Sequence, residues 1–169
     1  MRQFTFVLTI FILTFSLSTY ACDCDSQGEF LKVAPKTKLV ALIKVNRYLT
    51  FKDIYNKPTP MSMEVEIIEI YKGKEARKTI TVWGDNGALC RPYLSRFDIG
   101  KYYVIAFDEG SDLTEINANK TEKKTDYSIS VCGDYWLNVD FKKKIATGSV
   151  TDKQTQIKLA DLKSKLWTK

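Results

Sequence analysis

Cysteine placement constrains this chain more than any other feature. Its four cysteines are Cys22, Cys24, Cys90 and Cys132, and the first pair stands directly behind an apolar leader. Arg2 supplies a short positive start. Phe4 to Leu17 is apolar apart from Thr and Ser, and Thr19 and Ala21 put small residues three and one positions before Cys22. That three-part pattern predicts a secretory signal peptide over residues 1–21, cleaved after Ala21. The apolar run is shorter than the roughly 20 residues of a spanning helix, and no positive cluster follows it, so a membrane anchor is not expected. A leader for lipidation of Cys22 would carry Leu where this chain has Thr19. Plain export is expected instead, to an extracellular space or, in a bacterium, the periplasm.

In such an oxidising compartment an even number of cysteines predicts two disulfides. Four cysteines allow three pairings, of which Cys22 with Cys24 is sterically poor. Each of the two is expected to reach a distant partner and clamp the N-terminus onto the domain. Removing 21 of the 169 residues leaves about 148, enough for one domain with its own core.

The chain contains no histidine. Ser-His-Asp and Cys-His catalysis are therefore excluded, and the usual zinc ligand is missing. With the cysteines spent on disulfides, no intrinsic metal site or cofactor is expected. Asp108 and Glu109 are adjacent acids and read as surface residues, so no enzyme is expected. The formal charge of +6 comes from lysines spread along the chain, with the densest run at Lys142-Lys143-Lys144. It reads as a solvated basic surface, with an anionic partner such as a polysaccharide, membrane surface or nucleic acid as the functional alternative. The sequon Asn119-Lys120-Thr121 could carry a glycan in a eukaryotic source, its polar loop leaving room for one, and is otherwise read as a chance match.

Gln27 to Val33 predicts a short helix capped by Ser26, with Phe30 inward and Pro35 as its stop. Leu39 to Leu49 reads as a strand and Thr50 to Pro60 as a loop, because of Pro58 and Pro60. Met61 to Tyr71 is a long strand with Met63, Val65 and Ile67 on one face and Glu64 and Glu66 on the other; the change of pattern at Ile68 predicts a bulge. A turn follows at Lys72-Gly73-Lys74. Lys78 to Trp83 is a strand, Gly84 to Gly100 a turn-rich loop, and Lys101 to Phe107 a buried strand. Asp108 to Asp126 reads as a mobile polar excursion and Tyr127 to Val131 as a fifth strand. Asp134 to Phe141 is expected to continue the wall. The tail from Thr151 reads as a helix capped by Thr151 or Asp152, with Leu159, Leu162 and Leu166 inward. The sum is a mainly β fold: a five-stranded OB-type Greek-key barrel with a short N-terminal helix and a C-terminal helix. An immunoglobulin-like sandwich would want about seven strands.

Cys22-Asp23-Cys24 at the mature N-terminus, Tyr71-Lys72-Gly73 closing a long strand, Cys90 after Trp83, and Cys132 ahead of an aromatic stretch with Trp136 form one constellation. It resembles the N-terminal inhibitory domain of the tissue inhibitors of metalloproteinases, within the netrin-like OB-fold family, over most of Cys22 to about Trp167. The resemblance implies the pairings Cys22–Cys90 and Cys24–Cys132. It also implies that the α-amine and carbonyl oxygen of Cys22 chelate the catalytic zinc of a target metalloprotease, with Asp23, Cys24, Asp25, Cys90 and Arg91 contacting that protease. An α-amine titrates near 7.7–8.0, so its lone pair is accessible near neutral pH. The chelate would replace the water at the open position of the zinc.

The chain departs from the family pattern at Asp23, which follows the first cysteine and enters the specificity pocket in the family. A carboxylate there meets desolvation and the protease's own glutamate, so weak inhibition of enzymes with apolar pockets is expected. The family's third bridge and cysteine-rich second domain have no counterpart, since no cysteine follows Cys132. The alternative is a non-inhibitory netrin-like binding or adhesion module. Nucleic-acid binding through strand aromatics such as Tyr48, Tyr102 and Tyr103 is not expected of an exported chain.

Overall fold

The computed structural model describes residues 24–112 and 118–167. The leader, Cys22 and Asp23 lie outside the described residues. Among the described residues eight strands form one continuous sheet: β1 (Leu39–Ile54), β2 (Lys57–Lys72), β3 (Thr79–Trp83), β4 (Tyr102–Glu109), β5 (Tyr127–Ser128), β6 (Trp136–Asp140), β7 (Ile145–Thr151) and β8 (Gln154–Lys158). The order is β1-β2-β3-β5-β4, and β4 pairs back onto β1, from Leu39↔Phe107 to Lys44↔Tyr102. The first five strands therefore close a barrel. Among the described residues its one parallel pair is β3 with β5, and the rest is antiparallel. This is the expected OB-type barrel, and β6-β7-β8 extend it as a meander from the edge of β4.

Closing five strands requires strong coiling, and β1 and β2 provide it through repeated bulges. Leu42 pairs with Glu69 but Ile43 with Ile67, which leaves Ile68 unpaired at the predicted position. Between Val40↔Lys72 and Ala41↔Ile70 a second bulge skips Tyr71, whose ring is buried. Leu39 to Ile43 is buried along its whole length and does not alternate. One side of β1 faces the barrel interior. The other is covered, as it must be where helices and loops pack outside a small barrel. Gly73 then reverses the chain at φ +86°, so close to the Lys38 carbonyl that a Cβ would strike it.

The expected loop at Thr50–Pro60 is instead the tip of a hairpin. β1 runs on to Ile54, pairs with Lys57, and turns through Tyr55 (φ 54°) and Asn56 (φ 58°). Two left-handed central residues make the tight turn whose twist suits a hairpin. Pro58 and Pro60, two residues apart, share one edge of β2. That edge is unpaired there, because β3 reaches only Ser62 to Glu66. Their missing N–H groups therefore cost the sheet nothing.

The first helix is shorter than expected: α1 (Phe30–Val33) follows Glu29 with no side-chain cap, so Ser26 does not cap it. Pro35 sits in a 3-10 continuation (Ala34–Lys36) and does not end the helical stretch. The tail also differs. Thr151 to Lys158 is the β7–β8 turn and strand β8, and only α2 (Leu159–Trp167) is helical, with Leu159, Leu162 and Leu166 buried as expected. α1 packs against β7 and α2 against β2. Among the described residues no helix is long and apolar enough to cross a membrane.

Candidate functional site

β5 and β6 share one edge of β4. Asp108 pairs with Ser128 and Ile105 with Trp136, so seven residues, 129–135, face only Ala106 and Phe107. The expected strand Tyr127–Val131 therefore ends at Ser128, and the excess chain loops out of the wall carrying Cys132. Two other segments dock on that loop. The N-terminal segment is tied by Gln27 N donating to Cys132 O (2.6 Å), Asp134 N donating to Gly28 O (3.0 Å), and the Tyr135 hydroxyl donating to Gln27 Oε1 (2.7 Å). Burial and the nearby Asp108 carboxylate raise the Tyr135 pKa, which keeps that donor protonated. The Cys90 loop is tied by Val131 N donating to Cys90 O (3.2 Å). Gly133 must lack a side chain, because a Cβ would lie 2.9 Å from Gly28 O.

Sulfur chemistry closes the junction. Cys24 and Cys132 form a disulfide of 2.04 Å with a Cα–Cα distance of 5.6 Å, the pairing expected of them. Cys90 is also disulfide-bonded, and no described cysteine is free. The bridge expected between Cys22 and Cys90 involves a residue outside the described ones. The Sγ atoms of Cys24, Cys90 and Cys132 lie within 4.8 Å of one another. That convergence resembles a thiolate metal site, but sulfurs held in disulfides are not thiolate ligands.

Cys24 and Asp25 are exposed at this junction, whereas Cys132 is buried. Arg91 takes a different role from Asp25. Its side chain is 11% exposed, and its Nη1 donates to both carboxylate oxygens of the fully buried Glu122 at 2.8 and 2.9 Å. Glu122 also accepts from Ser111 N (2.7 Å) and Asn119 Nδ2 (3.1 Å). Sequence reasoning missed this group, because a polar stretch gives no sign of a buried carboxylate. The described parts of the expected polar excursion thus anchor the Cys90 loop from behind. Asn119 is itself buried with its amide committed, which suits the reading of its sequon as a chance match.

The long hairpin flanks the same loop. Lys52 Nζ donates to Asn86 O at 3.0 Å, and Gly87 faces the Ile54 side chain. Tyr55 is 90% exposed at the tip, and Tyr93 beside it is partly exposed. Asp108 and Glu109 do not form an acid pair. Neighbours on a strand point to opposite faces. Burial raises the Asp108 pKa against the pull of Arg91 and Lys72, while Glu109 is exposed and ion-paired with Lys38 at 2.8 Å. No protein-family model matches the chain, and no curated protein matches it in sequence.

Proposed function

We propose that the protein is an exported inhibitor of a zinc metalloprotease, not an enzyme, and that its mature N-terminus at Cys22 is the inhibitory group. The observation that carries this reading is the clamp. Cys24 and Asp25 are presented to solvent, yet the chain behind them is fixed by a disulfide and three hydrogen bonds. Fixing the chain from Cys24 onward reduces the freedom lost on binding by a terminus two residues ahead, so more of its chelation energy appears as affinity. The hairpin tip and the Cys90 loop lie alongside and supply the flanking contact surface. Asp23 selects against proteases with apolar pockets.

The test compares secreted protein starting at Cys22 with a variant carrying one additional Ala before it, across a panel of zinc metalloproteases. Inhibition by the first and at least hundredfold weaker inhibition by the second is expected. Equal inhibition by both overturns chelation by the amine. A second reading, a netrin-like module binding a polyanion, draws on the lysines. The β6–β7 turn carries Lys142, Lys143 and Lys144, and β8 brings Lys158 opposite Ile145 beside them. Binding to a sulfated polysaccharide that weakens steeply with salt, and that ignores the added Ala, supports that reading instead.

A further inference from the structure

We propose that the three-sulfur cluster is a thiol-exchange site, at which a small monothiol modifies Cys24 and moves the disulfide of Cys132 onto Cys90. Exposure sets the order of events. Cys24 is open to solvent and Cys132 is buried at 9% exposure, so an incoming thiolate reaches the Cys24 sulfur. The attack forms a mixed disulfide between the monothiol and Cys24 and expels the Cys132 sulfur as a thiolate. That thiolate is released inside the cluster, within 4.8 Å of the Cys90 sulfur, which is itself in a disulfide. Attack on Cys90 forms a Cys90–Cys132 bond and expels the cysteine that held Cys90, whose thiolate takes up the proton the monothiol gave to water. Two disulfides are present before the exchange and two after it, so no oxidant or reductant is consumed.

The second step is favoured by position. Thiol exchange between groups held side by side has an effective concentration far above that of any dissolved thiol. The new bond also needs little backbone movement, because Val131 N already donates to Cys90 O one residue from Cys132. The consequence is directional. Before exchange a bridge of 108 residues' separation ties the N-terminal segment to the body. Afterwards the Cys90 loop and the 129–135 loop are cross-linked to each other. The described segment before Phe30 then keeps its hydrogen bonds to Cys132, Asp134 and Tyr135 but no disulfide to the body. A thiol-rich environment would unclamp the N-terminus while leaving the barrel cross-linked. On the chelation reading it would also switch inhibition off, although the exchange itself does not depend on that reading.

The experiment uses the folded, oxidised protein and reduced glutathione without denaturant, quenched with acid and N-ethylmaleimide and mapped as unreduced peptides. The expected products are a Cys90–Cys132 linked peptide and glutathione on Cys24. A paired Cys22→Ser/Cys90→Ser variant, in which the Cys132 thiolate has no acceptor and returns to Cys24, should need at least tenfold more glutathione for equal modification of Cys24. The proposal is overturned if Cys132 is alkylated while Cys90 keeps its original bridge, if both bridges open with no Cys90–Cys132 product, or if neither opens. The map reads the exchange whether or not any protease is inhibited.

Discussion

Arg91→Met tests whether the Cys90 loop is held by its buried ion pair. The substitution keeps most of the aliphatic stem and removes the guanidinium. Glu122, with no exposed side chain, is left with Ser111 N and Asn119 Nδ2 as its donors. Removing one partner of a buried pair costs about 3–5 kcal/mol, because the remaining charge stays desolvated and uncompensated. Glu122→Gln is expected to cost less, about 2 kcal/mol, since the amide oxygen still accepts from Ser111 N and Arg91 is not fully buried. The double variant should also lose about 2 kcal/mol, because no unpaired carboxylate remains. The two substitutions should therefore couple by about 3–5 kcal/mol. The assay is urea unfolding with disulfides intact, with the denaturant slope checked for constancy, supported by melting points about 6–20 °C lower for Arg91→Met. A loss below about 1 kcal/mol for Arg91→Met, or a double variant equal to the sum of the singles, would refute the reasoning and make the pair incidental.

Three further outcomes follow from local geometry. Gly73→Ala should destabilise by more than about 2 kcal/mol, because it adds a Cβ at positive φ against the Lys38 carbonyl, whereas Gly100→Ala, at φ +81° with open space around it, should cost only about 1 kcal/mol in thermal melts. Glu75 is held at a pKa of about 2, first by hydrogen bonds from Arg77, so its contribution is complete above its ordinary value of 4.5 and disappears as pH falls through about 2; Glu75→Gln should lower stability at neutral pH and flatten acid unfolding across that window. Replacing the turn by Tyr55→Asn with Asn56→Gly should raise stability by about 1 kcal/mol by relieving two left-handed residues and, on the proposed inhibitory reading, weaken protease binding through loss of the exposed ring; unchanged binding would remove the tip from the contact surface.

The barrel was legible because its strands carry their own pattern. Met63, Val65, Ile80 and Val82 alternate with polar residues, and the break at Ile68 marks a bulge that the ladder contains. The hairpin tip was hidden because Tyr55-Asn56 lacks the glycine that usually marks such a turn, and because two prolines suggest a loop wherever the free edge of a strand cannot be foreseen. β7 and β8 were hidden because Ile145 to Lys158 mixes Thr, Ser and Gln with few apolar residues, and one sheet edge needs only Ala146, Val150 and Ile157 inward. Leu159, Leu162 and Leu166 read correctly as a helical face, but their periodicity could not show that the preceding eight residues belong to the sheet. At the site, Cys24 with Cys132 came from resemblance. The Arg91–Glu122 pair left no local trace, since it joins residues 31 apart that are each polar in polar surroundings.

The position of the site follows from how the barrel spends its backbone hydrogen bonds. Had β5 continued unbroken into β6, residues 129–135 would have faced β4 in register. Only Ala106 and Phe107 are available opposite them, and the one bond retained is Ala106 N to Tyr135 O. Five residues too many for the ladder leave polar groups that burial would penalise unless they were satisfied elsewhere. They are satisfied by the two segments that carry the other described cysteines. Val131 N takes Cys90 O, Cys132 O takes Gln27 N, and Asp134 N takes Gly28 O. The interruption in the wall is therefore the receptor for the N-terminal segment, and the Cys24–Cys132 disulfide locks contacts that the backbone already specifies. The same arithmetic explains why Gly133 stands at the crossing, where Gly28 O leaves no room for a side chain. A shorter insertion would give up the clamp, so the presentation of Cys24 and Asp25 is set by a single local excess of chain.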